Sequence, residues 1–120
     1  EIKLLMEINK IKEVIQNTLN KNKANDIVAI DLKKKTYIAD YMIVASGTSS
    51  RHLQSLSENL LVELKKFGLD NCRIEGRESN DWKLVDAIYV IVHLFHPEKR
   101  SFYDLEKMWS EDLPKEKAFI

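Results

Sequence analysis

Cysteine occurs once in the 120 residues, glycine three times and proline twice, and 19 basic residues are cancelled by 19 acidic ones. Each shortage removes a class of protein. A lone thiol, Cys72, excludes an internal disulfide and leaves no cysteine spacing for a metal site. Flanked by Asn71 and Arg73-Ile74, it reads as a small packing residue at the start of a strand. A formal net charge of zero argues against a general nucleic-acid binder, which carries a clear basic excess, and no specific nucleic acid is expected. No apolar run is long enough to span a bilayer and no signal-peptide pattern is present, so the expected setting is soluble, reducing and cytoplasmic, with no membrane partner. There is no repeat, linker or low-complexity stretch. One domain is expected over residues 1–113, with a frayed tail over 114–120. Because the chain opens on Glu1, its natural start is expected at Met6 or further upstream.

What is present is a 44% hydrophobic chain with charge unevenly spread. Residues 70–112 hold 10 acidic and 6 basic side chains, leaving 13 basic and 9 acidic elsewhere. Leu5, Ile8, Ile11, Ile15 and Leu19 recur at helical spacing and predict a first amphipathic helix. "DIVAIDL" (26–32) and "YIADYMIVAS" (37–46) predict two strands joined by the charged turn "KKKT", the second strand central in its sheet. After Gly47 a helix follows, capped by Ser49 or Ser50. Its predicted buried stripe is Leu53, Leu56, Leu60, Leu64 and Phe67, and Gly68 stops it. "NCRIEG" (71–76) is a short strand, and residues 82–87 and 88–95 make one or two more, closed by Pro97. Residues 100–109 predict a last short helix. The fold class is α/β, a single mixed sheet flanked by helices.

The turn Gly47-Thr48-Ser49-Ser50-Arg51-His52 joins an apolar strand to a helix, the geometry that often cradles phosphate. It lacks the Gly-Lys-Ser/Thr of a Walker loop and the spaced glycines of a dinucleotide turn. A nucleotidyltransferase needs two carboxylates one residue apart on a strand, where alternation puts both on one face to hold two Mg²⁺ ions. The following strand offers Arg73 at the first such position and Glu75 alone at the second. The plainer reading is a capped helix start, with surface contacts by Arg51 and His52 as the lesser one. His93, inside "VIVHLF", fits a core or interface histidine with a hydrogen-bonded ring better than a ligand. His52 and His96 stand apart from it, so no metal spacing arises. More informative is an acidic and aromatic group: Glu75, Glu78, Asp81 and Asp86 around Trp82, then Tyr103, Asp104, Glu106 and Trp109. A solvated face is the ordinary explanation, but Trp beside carboxylates on a loop is also the composition of a protein contact.

Three blocks, "ADYMIVASGTSSRH" (39–52), "IEGRESNDWKLVD" (74–86) and "VIVHLFHPEKRSFYDLEKMW" (90–109), resemble the ribosomal silencing factor, or Iojap-related, family in order and spacing from about Asp26 to Trp109. The resemblance implies a nucleotidyltransferase-like fold without catalytic carboxylates, no enzymatic activity, and no cofactor or metal. It implies a translational repressor that binds protein L-fourteen of the large ribosomal subunit, sterically blocks joining of the small subunit, and is a homodimer when free. Glu75, Asp81, Trp82, Asp86, Tyr103 and Glu106 are the expected contact residues for that partner. The run Ile88 to Phe95 is the expected dimer edge. The chain departs from the family at Ile88-Tyr89, where a small-residue pair such as Gly-Asp is usual. The alternative from a different class is a nucleotidyltransferase-like, phosphate-binding enzyme.

Overall fold

The computed structural model describes residues 2–33 and 39–98, with only the backbone of Ile2, Lys3 and Leu5. The last predicted helix, the tail, and Lys34 to Ile38 of the first predicted turn and strand lie outside the described residues. In chain order the elements are α1 (Ile2–Lys21), β1 (Asn25–Asp31), β2 (Tyr41–Ser46), α2 (Ser50–Lys66), β3 (Arg73–Glu75), β4 (Trp82–Asp86) and β5 (Val90–Phe95). They form one five-stranded sheet in the order β1-β2-β5-β4-β3. β2 and β5 run parallel, and every other neighbouring pair is antiparallel.

Alternation along the strands divides the core in two. Ile43, Ala45, Val85, Val92 and Leu94 face the helices, where Ile8, Ile11, Ile15 and Leu19 of α1 and Leu53, Leu56, Leu60 and Leu64 of α2 cover them. Met42, Val44, Leu84, Ile91 and Phe95 point to the opposite face with Leu32 and Ala39, and Trp82 packs against this second cluster. β2 and β5 are buried at every position, as expected of interior strands apolar on both faces.

The helix ends follow from local chemistry. The Ser49 side chain caps α2 by accepting from the His52 amide at 3.1 Å. At the other end Leu69 N–H reaches Leu64 O and Gly68 N–H reaches Lys65 O, with Gly68 at φ +105°. Phe67 is the C-terminal cap residue and is 39% exposed, so it leaves the buried stripe to which its spacing assigned it. Ser57 is buried in that stripe instead, its hydroxyl donating to Gln54 O at 2.8 Å.

One further expectation is corrected, and an alternative left open by the sequence is decided. β5 is the central strand rather than an edge, so the run 88–95 has no free side for a dimer; the edges are β1 and β3. Residues 82–95 make two strands, because the chain reverses at Ala87–Tyr89. There the Asp86 carboxylate accepts from the Ile88 amide at 2.9 Å, and Ile88 takes φ +70°. That left-handed conformation is what a glycine at this position supplies without strain.

Candidate functional site

Trp82 opens β4 directly after the loop Gly76–Asp81. The loop is pinned from inside by Lys83, which is only 4% exposed. Its ammonium donates to the carbonyls of Gly76 (3.0 Å), Arg77 (2.7 Å) and Ser79 (2.6 Å). The charge is tolerated there because three carbonyl oxygens replace its water. Ser79 Oγ accepts from the amides of Trp82 (3.2 Å) and Asp81 (3.3 Å), and the Asp81 carbonyl accepts from His96 N–H at 2.9 Å. Gly76 has φ +75°, and a Cβ there would lie 2.6 Å from the indole Cε3 and 3.0 Å from the Trp82 carbonyl oxygen. Both the turn and the seat of the Trp82 ring therefore require glycine.

The indole is half-buried. Its Nε1–H donates to His93 Nδ1 at 3.4 Å, and His93 stacks on Phe95 with ring centroids 5.8 Å apart. His93 is 1% exposed, and burial pushes its pKa down to about 4, so the ring is neutral at pH 7. With Nδ1 accepting, Nε2 carries the proton, and Nε2 is buried without a hydrogen-bond partner among the described residues. Trp82 is thus a ring fixed on one side by glycine and histidine, with the other part of its surface reaching solvent beside the exposed Asp81.

The remaining expected contacts fall in three places. Glu75 is exposed on edge strand β3, opposite Leu84, near the Trp82 end of β4. Asp86 lies at the far end of β4, bonded to the Ile88 amide and 3.6 Å from the Arg73 guanidinium. It is not gathered around Trp82. Tyr103 and Glu106 lie outside the described residues. The link from Trp82 to His93, and the burial of Lys83, escaped the sequence reading. The fully apolar neighbours of His93 in "VIVHLF" were the one available signal for its side of that link.

The glycine turn is occupied by internal bonds. His52 Nδ1 accepts from Thr48 N–H at 2.9 Å, and its Nε2–H donates to Asn22 O at 2.9 Å, tying α2 to the end of α1. His52 is therefore a latch rather than a surface contact; Arg51 is exposed. Gly47 is needed for space, since a Cβ there would come 2.7 Å from Leu53 Cδ2. Glu75 cannot serve this turn, because β5 and β4 separate β3 from β2. No group of three or more His, Cys, Asp or Glu side chains gathers to hold a metal among the described residues. No described helix is long and apolar enough to cross a membrane. Cys72 is half-buried, and burial, then Asp86 and Asp70, raise its thiol pKa, so it packs rather than reacts.

A family model described as "Ribosomal silencing factor during starvation" matches residues 6–119. The chain belongs to the ribosomal silencing factor family. A silencing factor of Chromobacterium violaceum is 39% identical over 109 residues, 91% of this chain and 89% of that protein. The mouse protein named "Mitochondrial assembly of ribosomal large subunit protein 1" is 34% identical, over 82% of this chain and 44% of its own length. A crystal structure of a Chromobacterium violaceum protein superposes with a TM-score of 0.83 at 38% identity, covering 89% of each chain. The silencing-factor fold is thus a mixed α/β sheet. In this chain its second face presents the Trp82–His93 pair beside a pinned acidic loop.

Proposed function

We propose that this chain represses translation by docking on protein L-fourteen of the large ribosomal subunit and occupying the volume the small subunit needs. The observation that carries the reading is the Trp82 end of β4: a half-buried indole on a rigid seat, with exposed Asp81 next to it in the chain and exposed Glu75 on the neighbouring strand, opposite Leu84. A tryptophan already held by its neighbours gives large contact area with little rotamer freedom left to lose. The carboxylates suit a basic protein surface and act on encounter rate and orientation more than on affinity. Asp86, committed to its turn and to Arg73, is the weakest member of the expected set. Tyr103 and Glu106 extend the same acidic and aromatic composition from outside the described residues.

The mechanism needs no bond-breaking step, cofactor or metal. A standard interface of about 1,600 Å² in total is within reach of one face of a domain this size. The setting is the cytoplasm, and the free form is a homodimer. Membership of a family named for ribosome silencing supports the reading, as does a relative named for assembly of the large subunit.

The test is co-sedimentation with separated subunits on sucrose gradients. Wild-type protein is expected with the large subunit and not with the small. Trp82→Ala, folded by circular dichroism, is expected to bind about 2 kcal/mol more weakly or worse. Asp81→Lys is expected to slow association and flatten its salt dependence. A folded Trp82→Ala protein binding at full affinity removes Trp82 from the contact; wild-type protein that never binds large subunits removes the function.

A further inference from the structure

His93 stands at a position in the central strand where an apolar side chain would leave no polar atom unpaired. It is the fourth residue of β5, and its cross-strand neighbours are Val44 on β2 and Leu84 on β4. Ile91 and Phe95, two positions to either side, share its face of the sheet. All four are buried, and none carries a side-chain donor or acceptor. Among the described residues the imidazole has one polar partner, the Trp82 indole at Nδ1, and Nε2 has none. A buried donor without an acceptor lowers stability, a penalty that leucine or phenylalanine in the same slot would not carry. A residue that breaks the packing rule of an interior strand marks a position set by something other than stability.

Trp82 lies directly across from Phe95, and His93 is on the diagonal, a separation that aromatic side chains can bridge. Stacking on Phe95, with the two planes 1° apart, fixes the plane of the imidazole. The indole is tilted 38° to that plane, with centroids 6.5 Å apart, and directs Nε1–H at Nδ1. At 3.4 Å this bond is long, so it contributes orientation more than energy. The other ring of the indole lies over Gly76, where a Cβ would come 2.6 Å from Cε3 and 2.7 Å from Cζ3. Gly76 makes room for the benzene ring, and His93 ties down the pyrrole nitrogen. Two contacts on two different rings define one orientation; with the Nδ1 contact gone, the indole is free to turn on its seat.

We propose that His93 is a positioning residue for the docking contact: its Nδ1 lone pair holds Trp82 in the orientation that presents the indole to the ribosomal partner. The inference rests on the proposed function for what the indole meets, and on the geometry of the free chain for how it is held. His93 touches no partner itself, because it is buried. Its whole effect passes through Trp82, so affinity and stability respond to it in opposite ways. An apolar replacement spares the chain an unpaired donor but releases the indole, and a smaller replacement that still accepts does the reverse.

The test is a double-mutant cycle read by co-sedimentation with purified large subunits, with urea denaturation run on every variant. His93→Leu removes the acceptor and is expected to keep its urea midpoint while binding about tenfold more weakly, because a freed indole has to be immobilised on docking. His93→Asn puts a carbonyl oxygen in place of Nδ1 on a smaller side chain, and is expected to lose stability yet bind within about twofold of wild type. In the Trp82→Ala background, His93→Leu is expected to cost no further affinity. A residue that only packs would give binding losses that follow stability and add to that of Trp82→Ala. If His93→Leu does not fold, His93→Asn and nitrogen NMR of the wild-type chain at pH 7 decide: Nε2 must carry the imidazole proton, and the Trp82 indole N–H must be protected from exchange. Equal affinity of folded His93→Leu and wild type, additive losses in the double variant, or a proton on Nδ1 overturns the proposal. If Trp82→Ala weakens binding and His93→Leu does not, this inference alone falls; if wild-type protein never binds large subunits, the proposed function falls with it.

Discussion

His93 holds its proton balance far from that of a free histidine, and the consequence is measurable. Its folded pKa of about 4 lies below the 6.5 of a free histidine side chain, and burial is the cause. The unfolded chain therefore takes up a proton between those values while the folded chain does not. Stability from this group is complete above pH 6.5 and is lost as pH falls toward 4. Relative to pH 7, this one residue is expected to remove about 2 kcal/mol at pH 5. His93→Gln cannot titrate but can still accept from Trp82 Nε1–H, so its urea midpoint should fall less than wild type over the same interval. Parallel curves for the two proteins would show that His93 is not the buried neutral group described. Ile88 carries a different kind of cost. An L-residue, and a β-branched one, sits at φ +70° with its side chain 39% exposed. Ile88→Gly relieves roughly 1–2 kcal/mol of backbone strain and returns part of it as unfolded-state entropy. A net gain of about 1 kcal/mol in urea denaturation is expected; a loss would mean that the exposed isoleucine makes a contact worth more than its strain.

At the scale of elements, the loop Gly76–Asp81 depends on a residue belonging to the strand after it. Lys83→Met removes the ammonium that the three carbonyls share, and among them the Gly76 oxygen alone keeps another donor among the described residues, the Ser79 amide. A loss on the order of 3 kcal/mol is expected. Faster hydrogen exchange at the Asp81 and Trp82 amides should accompany it, since both are held through Ser79 Oγ of the same loop. A Met variant as stable as wild type would mean that the loop is held by something else. The sheet edges pose a separate question. β3 has three residues and presents Arg73 and Glu75, which blunts it. β1 is longer, with Ile27 to Ile30 half-buried, and is the edge that remains for pairing a second copy. Val28→Lys is expected to convert a dimer to a monomer in sedimentation equilibrium. A wild-type chain that is monomeric at high micromolar concentration, or a Val28→Lys protein that still dimerises, excludes this edge.

The same elements show what could be read without coordinates. α2 was legible because its leucines repeat at helical spacing and a serine and a glycine mark its ends. β2 was legible as an interior strand because apolar residues fill both of its faces. Spatial order was not legible: β5 is the last strand of the chain described yet lies at the centre, and apolarity alone does not say which strand its neighbour will be. Lys83 was hidden for a chemical reason. Lysine is almost never fully buried, and its three partners are backbone oxygens, which leave no trace in side-chain identity. The Trp82–His93 pair spans eleven positions and depends on β4 and β5 pairing in one register. The acidic and aromatic composition was visible, but its split between the two ends of β4 was not.

The whole molecule joins a rigid aromatic end with exposed carboxylates, suited to a protein surface, to a body that takes up space. Binding alone does not establish silencing, because a ligand that sits aside from the subunit interface would bind and do nothing. The direct measurement is light scattering as purified large and small subunits are mixed at a Mg²⁺ concentration that permits joining. Large subunits first saturated with the wild-type chain should fail to give the rise in scattering, while the same concentration of Trp82→Ala, too weakly bound to occupy them, should leave the rise intact. Joining at the normal rate and amplitude with the wild-type chain demonstrably bound to every large subunit would contradict the account.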